Sequence, residues 1–489
     1  MNLFRRKNVA DLQAEAKTDV SLKRVLGPLH LVMLGVGCTI GTGIFVLTGT
    51  VAARNAGPGV ILSFVLAGLA SIFAAFCYSE FASLVPMSGS AYTYSYATLG
   101  EIFAWIIGWD LILEYAVGGI TVAIGWSGYV TSLLHDFGLD IPPRLTAAYG
   151  SAVTLADGTQ GTALFNLPAV LIVGAVTILL VIGIKESAWY NNLIVFVKLA
   201  VILAFLALTA HAINPANWHP FIPQNTGTFG HFGWSGIMMG SGTVFFAYIG
   251  FDAVSTAAQE TRNPQRDMPL GIIGSLIICT VLYIAVAAVA TGVVPYAQLD
   301  TPAPIALAAD RAVGGWMSVL IKIGAVAGLS SVIMVLMLGQ TRIFWVMSRD
   351  GLLPKFVGAV HPKFKTPWIT TIITGIVVAF YSAFLTVREA GNLCSIGTLL
   401  AFVIVCISVL VLRVREPHHH RAFRTPAIWA VAPLGALAAL ALMIPLPNAA
   451  WIRLIVWFVI GMVVYFVYGI KNSRLNQSTG GTPPTSHGT

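Results

Sequence analysis

The sequence predicts an all-α polytopic membrane protein with twelve transmembrane helices. Of its 489 residues, 57% are hydrophobic and only 9% are charged, and the mean hydropathy is +0.83. A soluble domain carries about 25% charged residues because most of its surface faces water. Apolar runs of about 20 residues, the length that crosses a bilayer as a helix, recur along the whole chain. These features argue against a soluble enzyme, a nucleic-acid-binding protein and a disordered scaffold.

Proline, glycine and charged residues delimit each apolar run and predict where the helices begin and end. Prolines such as Pro58, Pro168 and Pro269 stand at predicted helix ends. The longest connection without predicted structure is 135–166, and the tail from Asn472 is predicted to be disordered. The twelve predicted spans are 29–53, 60–84, 101–134, 167–185, 190–212, 233–258, 270–294, 314–346, 367–386, 391–413, 426–446 and 451–471.

Basic residues predict the orientation of the chain. An even number of spans places both termini on one side, and that side carries 20 of the 27 lysines and arginines against 6 on the other, with Lys198 inside a span. Cytoplasmic loops are enriched in basic residues. Both termini are therefore predicted to be cytoplasmic, in a multi-pass protein of the plasma membrane that is surrounded by membrane lipid.

Reactive side chains are sparse and unclustered. The five cysteines lie scattered in apolar segments without the spacing of metal ligands, so the sequence predicts no disulfide framework, no metal site and no cofactor. His418, His419 and His420 lie in a basic loop and are interpreted as a solvated turn. Because the spans contain no nucleophile paired with a base, the sequence does not predict an enzyme.

Two spans contain glycine-rich interruptions near their middle. The first span reads LGVGCTIGTGIFVLTG, and each of the glycines in Gly41-Thr42-Gly43 costs a helix about 1 kcal/mol relative to alanine. Close helix packing is the alternative, since Gly37 and Gly41 also form a GxxxG spacing. The sixth span, with SGTVFFAYIGFDAVS, is interrupted at a matching place five helices later. Paired interruptions of this kind predict a five-plus-five inverted repeat with a binding site at the midplane.

This repeat divides the chain into six predicted parts. They are a cytoplasmic segment 1–28, the first repeat 29–212, an extracellular loop 213–232, the second repeat 233–413, two further helices at 414–471 and a cytoplasmic tail 472–489.

The interruptions predict what the site binds. An unwound helix in hydrocarbon leaves N–H and C=O groups unpaired, which costs several kcal/mol for each group, so something must satisfy them. Free amides at 41–43 favour a carboxylate, and free carbonyls around Phe246, Ala247 and Ile249 favour an ammonium group. Together they match the part common to all α-amino acids. Phe246 and Tyr248 would supply bulk, although each is equally well explained as a core aromatic.

Several long motifs then resemble a known family over most of the chain. They include GVGCTIGTGIFVLTG, CYSEFASLVPMSGSAYTYSYATLGE, FFAYIGFDAVSTAAQETRNPQRDMPLGI and GQTRIFWVMSRDGLLP. In this order they resemble cationic amino acid transporters of the amino acid-polyamine-organocation superfamily. The resemblance implies the sodium-symporter-like fold, a ten-helix core with two extra C-terminal helices, and substrate binding by spans one, three, six and eight.

The resemblance also implies roles for individual residues. Thr42 and Gly43 match the carboxylate-binding backbone, Phe246 matches an aromatic gate, and Ala247 and Ile249 match the ammonium-binding carbonyls. The predicted substrate-binding residues are Ile40, Gly41, Thr42, Gly43, Glu114, Phe246, Ala247, Tyr248, Ile249 and Leu336.

Lys198 is predicted to couple transport to protons. It lies six residues, about 9 Å along a helix, beyond Asn192 and precedes an apolar run, where surroundings disfavour its charged form. The alternative is that its long side chain extends to the cytoplasmic interface. Lys198 also matches a lysine that occupies the sodium region in sodium-independent relatives.

Other acidic residues carry weaker predictions. Glu114 lies near the middle of span three and Asp252 follows the second interruption; either one could contact a substrate or anchor a neighbouring group. Glu80, near the cytoplasmic end of span two, is interpreted as structural. Glu260, next to the basic residues of TRNPQR, is predicted to act in a gate or helix lock.

The function predicted from these residues is proton-coupled uptake of L-amino acids by alternating access. The resemblance places Leu336 where animal cationic amino acid transporters tend to carry a small residue, and the leucine would fill space that a long basic side chain needs. Small neutral amino acids such as alanine are therefore expected to fit better than arginine or lysine, although methylenes discriminate by only about 1 to 3 kcal/mol. The alternative within the same fold is an exchanger or facilitator that uses no proton gradient. A channel is the remaining alternative, and no nucleic acid is expected as a partner.

Overall fold

In the computed structural model of the chain, residues 4–7, 24–87, 89–155, 157–183, 188–364 and 366–475 are described. The longer helices of these ranges are α1 (Pro28–Thr39), α2 (Val60–Leu84), α3 (Ser90–Thr98), α4 (Glu101–Asp136), α5 (Leu167–Ile182), α6 (Ala188–Thr209), α7 (Gly233–Val244), α8 (Pro264–Val293), α9 (Pro304–Val313), α10 (Gly315–Arg349), α11 (Trp368–Phe384), α12 (Val387–Arg415), α13 (Ile428–Met443) and α14 (Asn448–Val464). A two-stranded antiparallel sheet is formed by β1 (Ala152–Thr154) and β2 (Gln160–Thr162).

Apolar helices dominate the structure. Among the described residues, eight helices are long and apolar enough to cross a membrane, and four more, α1, α5, α11 and α13, are apolar but shorter. Every one of the segments that the sequence marked as a span contains helix. The second half of the first segment runs as further helical turns, from Gly43 to Ala56, almost directly into α2.

Two local predictions are wrong. Pro269 does not end a helix but lies inside α8, which begins earlier, at Pro264, where a proline needs no hydrogen-bonded N–H. The connection 135–166 is not structureless, since it contains β1 and β2. An Asp157 side chain that accepts a hydrogen bond from the Thr159 amide at 3.0 Å forms the turn between the strands.

Small residues set the helix packing. Helices α1 and α2 both pack along α8, and α4 packs along α10. A Cβ at Gly271 of α8 would lie 2.6 Å from the Cβ of Leu31 in α1. At Gly35 it would collide with Ser275, so both contacts require glycine. Membrane helices associate by such close approach because lipid gives them no hydrophobic driving force.

Both ends of the described chain meet at one face. Lys7 Nζ donates to Asp350 Oδ1 at 2.8 Å, Tyr92 donates to the other oxygen at 2.6 Å, and the Arg474 amide donates to the Asp350 carbonyl at 3.1 Å. The predicted disorder from Asn472 onward is thus wrong for its first residues. The rest of that predicted tail lies outside the described residues.

A buried carboxylate ties α2 to α12 and to the loop that follows α12. Glu80 is 1% exposed and accepts two hydrogen bonds from Arg413, at 2.8 and 2.9 Å. The Arg421 Nε lies 3.1 Å from Glu80 Oε1, and the Thr425 amide donates to Oε2 at 2.8 Å. These contacts agree with the structural role predicted for Glu80.

We predict that Glu80→Gln destabilises the protein by about 3 kcal/mol, because removing one partner leaves buried arginine charge without compensation. The measurement is the apparent Tm of the full chain in detergent micelles. Glu416→Gln is the matched control, since Glu416 is 40% exposed and its partner His419 lies 3.5 Å away. An unchanged Tm in Glu80→Gln would contradict the role given to this cluster.

Candidate functional site

The first predicted interruption is a real break in the helix. Helix α1 ends at Thr39 because Ile40 is extended, with φ −74° and ψ 98°. Helical turns resume at Gly43 as a π-helix. The amides of Gly41 and Thr42 make no hydrogen bond with the described part of the chain, and the buried Thr42 hydroxyl likewise has no partner there. This break therefore presents unpaired donors in the interior of the protein.

The second predicted interruption is also a break. Helix α7 ends at Val244, a 3-10 turn covers Phe245–Tyr248, and Ile249 is extended with ψ 133°. Gly250 has φ +119°, a backbone conformation that residues other than glycine rarely adopt. The carbonyl of Ile249 accepts no hydrogen bond from the residues that the structure describes.

The two breaks touch each other. A Cβ at Gly250 would lie 2.9 Å from the carbonyl carbon of Cys38, and a Cβ at Gly43 would overlap Ala247. Both glycines are therefore needed for the approach of one broken backbone to the other. The contact places the unpaired donors of the first break and the open acceptor of the second in a single small region.

Tyr283 of α8 bridges the two breaks and was not predicted. Its hydroxyl oxygen lies 2.8 Å from the Thr39 carbonyl and 2.7 Å from the Ala247 carbonyl. A hydroxyl has one hydrogen and donates to only one of these at a time. The Ala247 carbonyl is the predicted acceptor for an ammonium group, so that group would share this acceptor with the Tyr283 hydroxyl. A tyrosine inside an apolar helix was the available signal, because its hydroxyl needs a buried partner.

Lys198 reaches the first break. Its side chain is 0% exposed, and Nζ donates to the carbonyls of Gly37 at 2.9 Å and Ile40 at 3.3 Å. Gly328 of α10 leaves room for its stem, since a Cβ there would lie 2.8 Å from Cε. The side chain points to the unwound backbone and not to the membrane surface.

Helices α4 and α10 form the wall opposite the breaks. Gly125 of α4 faces the Thr42 side chain, since a Cβ added at Gly125 would lie 2.6 Å from Thr42 Oγ1. A Cβ added at Gly118 of the same helix would lie 3.2 Å from Leu336 Cδ1. Val332 of α10 lies 3.7 Å from the corresponding position at Gly41. The structure thus brings Ile40, Gly41, Thr42, Gly43, Phe246, Ala247, Ile249 and Leu336 into one buried region.

Tyr248 lies elsewhere. Its hydroxyl donates to the Phe64 carbonyl of α2 at 2.8 Å, and its ring packs edge-on against Phe64 and Tyr283. These contacts explain Tyr248 as a core aromatic between α2, α7 and α8. Of the two aromatic residues predicted for the site, Phe246, which is 6% exposed, remains a candidate.

Glu114 belongs to a group of buried acids, not to the breaks themselves. It lies within electrostatic range of Asp110 and Asp252, and the thiol of Cys394 in α12 donates to its backbone carbonyl at 3.3 Å. Asp252 Oδ1 accepts from the Gly250 amide at 3.2 Å and so supports the second break. Asp110 was not predicted, although its i, i+4 spacing from Glu114 places both on one helix face.

Two cavities approach the breaks from opposite faces. One, of about 490 Å³, reaches Cys38 and Tyr115 from the face that holds the chain ends, and Glu260 and Arg342 line it. The other, of about 320 Å³, reaches Val46 and Gly125 from the opposite face. The break residues between them are at most 6% exposed.

Glu260 contacts α10 and the segment before α1 at the first of these cavities. Its carboxylate lies 4.0 Å from Arg342 of α10, and its carbonyl accepts from the amides of Val25 and Leu26 at 2.9 and 3.0 Å. The sequence associated Glu260 with the neighbouring basic residues, whereas its ion pair here is with Arg342.

Two broken helices around a buried polar centre, with a cavity on each face, are the features of a membrane transporter. The family model of the amino acid permeases matches residues 26–469. The chain belongs to this family, within the amino acid-polyamine-organocation superfamily, and is a multi-pass membrane protein and not an enzyme.

Its relatives are permeases and transporters. It is 48% identical to the branched-chain amino acid permease BcaP of Bacillus subtilis (strain 168) over 97% of this chain and 99% of the relative. It is 46% identical to the methylthioribose transporter of the same organism over 97% of this chain and 100% of the relative. It is 40% identical to cationic amino acid transporter 2 of Arabidopsis thaliana over 85% of this chain and 64% of the relative.

We predict that Gly43→Ala abolishes the tight amino acid binding at the breaks, because the added methyl group collides with Ala247 and separates the two breaks. The measurement is ligand-induced stabilisation of the purified full chain. Gly174→Ala is the matched control, since a Cβ at Gly174 meets nothing within 4 Å. Unchanged binding in Gly43→Ala would show that the breaks do not form the site.

Proposed function

We propose that the protein is a secondary active transporter that takes up neutral aliphatic L-amino acids together with protons. The proposal includes twelve spans, the five-plus-five inverted repeat and both termini in the cytoplasm, at the plasma membrane. The observation that carries it is the pair of touching breaks, in which the buried amides of Gly41 and Thr42 and the Thr42 hydroxyl have no partner in the described part of the chain.

A zwitterion supplies the missing partners. In the proposed complex the substrate carboxylate accepts from the amides at 41–43 and from the Thr42 hydroxyl. Its ammonium group donates to the Ile249 carbonyl and to the free lone pairs of the Phe246 and Ala247 carbonyls. Charge-assisted hydrogen bonds of this kind are about twice as strong as neutral ones and offset the cost of unwinding both helices.

Apolar side chains support the choice of a neutral substrate. Phe246, Val332, Leu336 and Ile249 lie around the breaks, and each is buried. The similarity to a branched-chain amino acid permease supports an aliphatic side chain, from alanine to leucine. The similarity to a methylthioribose transporter makes that thioether sugar a necessary member of any substrate panel.

Lys198 is proposed as the proton-coupling residue. Its ammonium group holds the Gly37 and Ile40 carbonyls, which end α1 next to the carboxylate site. Loss of the proton weakens both hydrogen bonds and frees α1 to move relative to α6 and α10. Substrate binding and protonation would then favour the same arrangement of the break, which is the requirement for coupling.

The two cavities support alternating access. Each leads toward the breaks from one face, and buried residues separate them. Phe246 is proposed to close the site toward one cavity. The Glu260–Arg342 pair is proposed to hold α10 to the segment after the second break when the cavity on the face that holds the chain ends is closed. This role corresponds to the gate or helix lock predicted from the sequence.

The function is tested by counterflow in proteoliposomes with labelled alanine, leucine, arginine, lysine and methylthioribose, with and without an inward proton gradient. We expect counterflow of alanine and leucine, and accumulation of both when the gradient is present. Counterflow without gradient-driven accumulation would identify the exchanger or facilitator instead. Absence of amino acid counterflow would overturn the proposal.

We predict that Lys198→Gln abolishes gradient-driven accumulation, because a neutral amide cannot release a proton at this position. The measurement is alanine uptake under a proton gradient, compared with counterflow at equal pH. The exposed Lys355 provides the control variant Lys355→Gln, which should accumulate alanine like the wild type. Undiminished accumulation by Lys198→Gln would exclude Lys198 from the coupling.

We predict that Leu336→Ala shifts preference toward larger side chains, with about a tenfold gain in kcat/KM for leucine relative to alanine, since the removed methylenes open space beside Gly118. The measurement is a competition series in initial uptake. Leu320→Ala, on the same helix but 38% exposed, is the control. An unaltered ratio would place Leu336 outside the side-chain pocket.

A further inference from the structure

The cavity of about 320 Å³ on the face opposite the chain ends has the composition of a binding site and not only of a passage. We propose that it is a second subsite, which holds the α-carboxylate of an amino acid on Arg388 before the substrate enters the central site. The inference rests on the proposed function, and it assigns a residue that neither the breaks nor the family resemblance involve. The volume lies at the lower end of the range of small-molecule pockets, about 300 Å³.

Arg388 is the cation in this cavity that lacks a partner. It is partly buried in the first turn of α12 and makes no hydrogen bond or ion pair with the residues that the structure describes. Its neighbour Arg54 is paired, since Nε donates to Asp300 Oδ2 at 2.7 Å. An arginine fork presents parallel donors that match a carboxylate.

The acidic groups nearby are already engaged. Asp300 is held by Arg54. Glu389 accepts from the Thr386 amide and hydroxyl at 3.0 and 2.8 Å in a capping box, and lies 3.8 Å from Arg453. The cavity wall contains two arginines and one aspartate, so it has a net charge of +1 and attracts an anionic group.

The rest of the wall suits an amino acid. Val46, Ile124, Leu385 and Val387 provide apolar surface for an aliphatic side chain. Asn166 is committed to the structure, because its Oδ1 accepts from Ser127 at 2.6 Å and from the Ala169 amide at 3.3 Å. Recognition by charge therefore depends on Arg388.

The cavity lies on a path to the central site. Its floor includes Gly125, which faces the Thr42 side chain, and Val46 of the first span. On its other side it shares residues with a wider cavity of about 780 Å³ that extends along the same face. The residues common to both cavities are Gly128, Thr146, Thr301 and Pro302. A ligand on Arg388 is thus positioned between the outer cavity and the break.

The subsite is tested by titrating the purified full chain with L-alanine and following bound ligand by saturation-transfer NMR. The wild type is expected to show two binding phases, and Arg388→Gln only the tighter one. In a Gly43→Ala background, which removes the central site, the weaker phase should remain and should weaken about tenfold when Arg388→Gln is added. Arg388→Lys should retain it in part.

Two controls make the outcome specific. Arg453→Gln removes a cation close to Glu389 but outside the cavity and should leave both phases unchanged. L-alaninol, which lacks the carboxylate, should give no signal in the Gly43→Ala background. A single phase in the wild type, or a second phase whose affinity is unchanged by Arg388→Gln, overturns the subsite. Absence of both alanine binding and counterflow in the wild type would overturn the proposed function itself.

Discussion

The structure depends on how two broken helices satisfy their backbone inside a membrane. Unpaired N–H and C=O groups in hydrocarbon cost several kcal/mol each, and such a break persists only where protein or ligand groups replace the helical hydrogen bonds. Here the Lys198 ammonium group donates to the Gly37 and Ile40 carbonyls. The Tyr283 hydroxyl donates to the Thr39 carbonyl or to the Ala247 carbonyl, one at a time. The amides of Gly41 and Thr42 have no partner among the residues that the structure describes.

Glycine makes this arrangement geometrically possible. Gly43 and Gly250 let one broken backbone rest on the other, and Gly328 admits the stem of Lys198. These segments are held together by close contact, and a methyl group at any of the three glycines would force them apart. The same property that weakens a helix locally thus allows the precise approach on which the site depends.

The groups that support the breaks come from several different helices. Lys198 belongs to α6 and Tyr283 to α8, whereas Gly125 and Leu336 belong to α4 and α10. A change of protonation or ligand at the centre therefore alters contacts between helices and not only within one. In the proposed function, this connection would couple protonation and ligand binding to exposure of the site on one face or the other.

Sequence reasoning located the breaks because glycine runs in an apolar span conflict with helix propensity, and the conflict is visible without coordinates. It also found Lys198 and Glu80, because a charge inside hydrocarbon requires a partner. Tyr283, Asp110 and Arg388 were not among its predicted site residues, and it left Tyr248 open between the substrate site and the aromatic core, since the direction of a side chain depends on the rotation of its helix.

The sequence by itself determined the apolar helices, the interrupted segments and the membership of a transporter family, because hydropathy and local propensity act over a few residues. Only the tertiary structure decided which groups satisfy each broken backbone, what the Tyr248 ring packs against and which arginine of the smaller cavity has no partner among the described residues. Those outcomes depend on contacts between residues up to hundreds of positions apart, such as Glu80 with Arg413, and no local pattern encodes them.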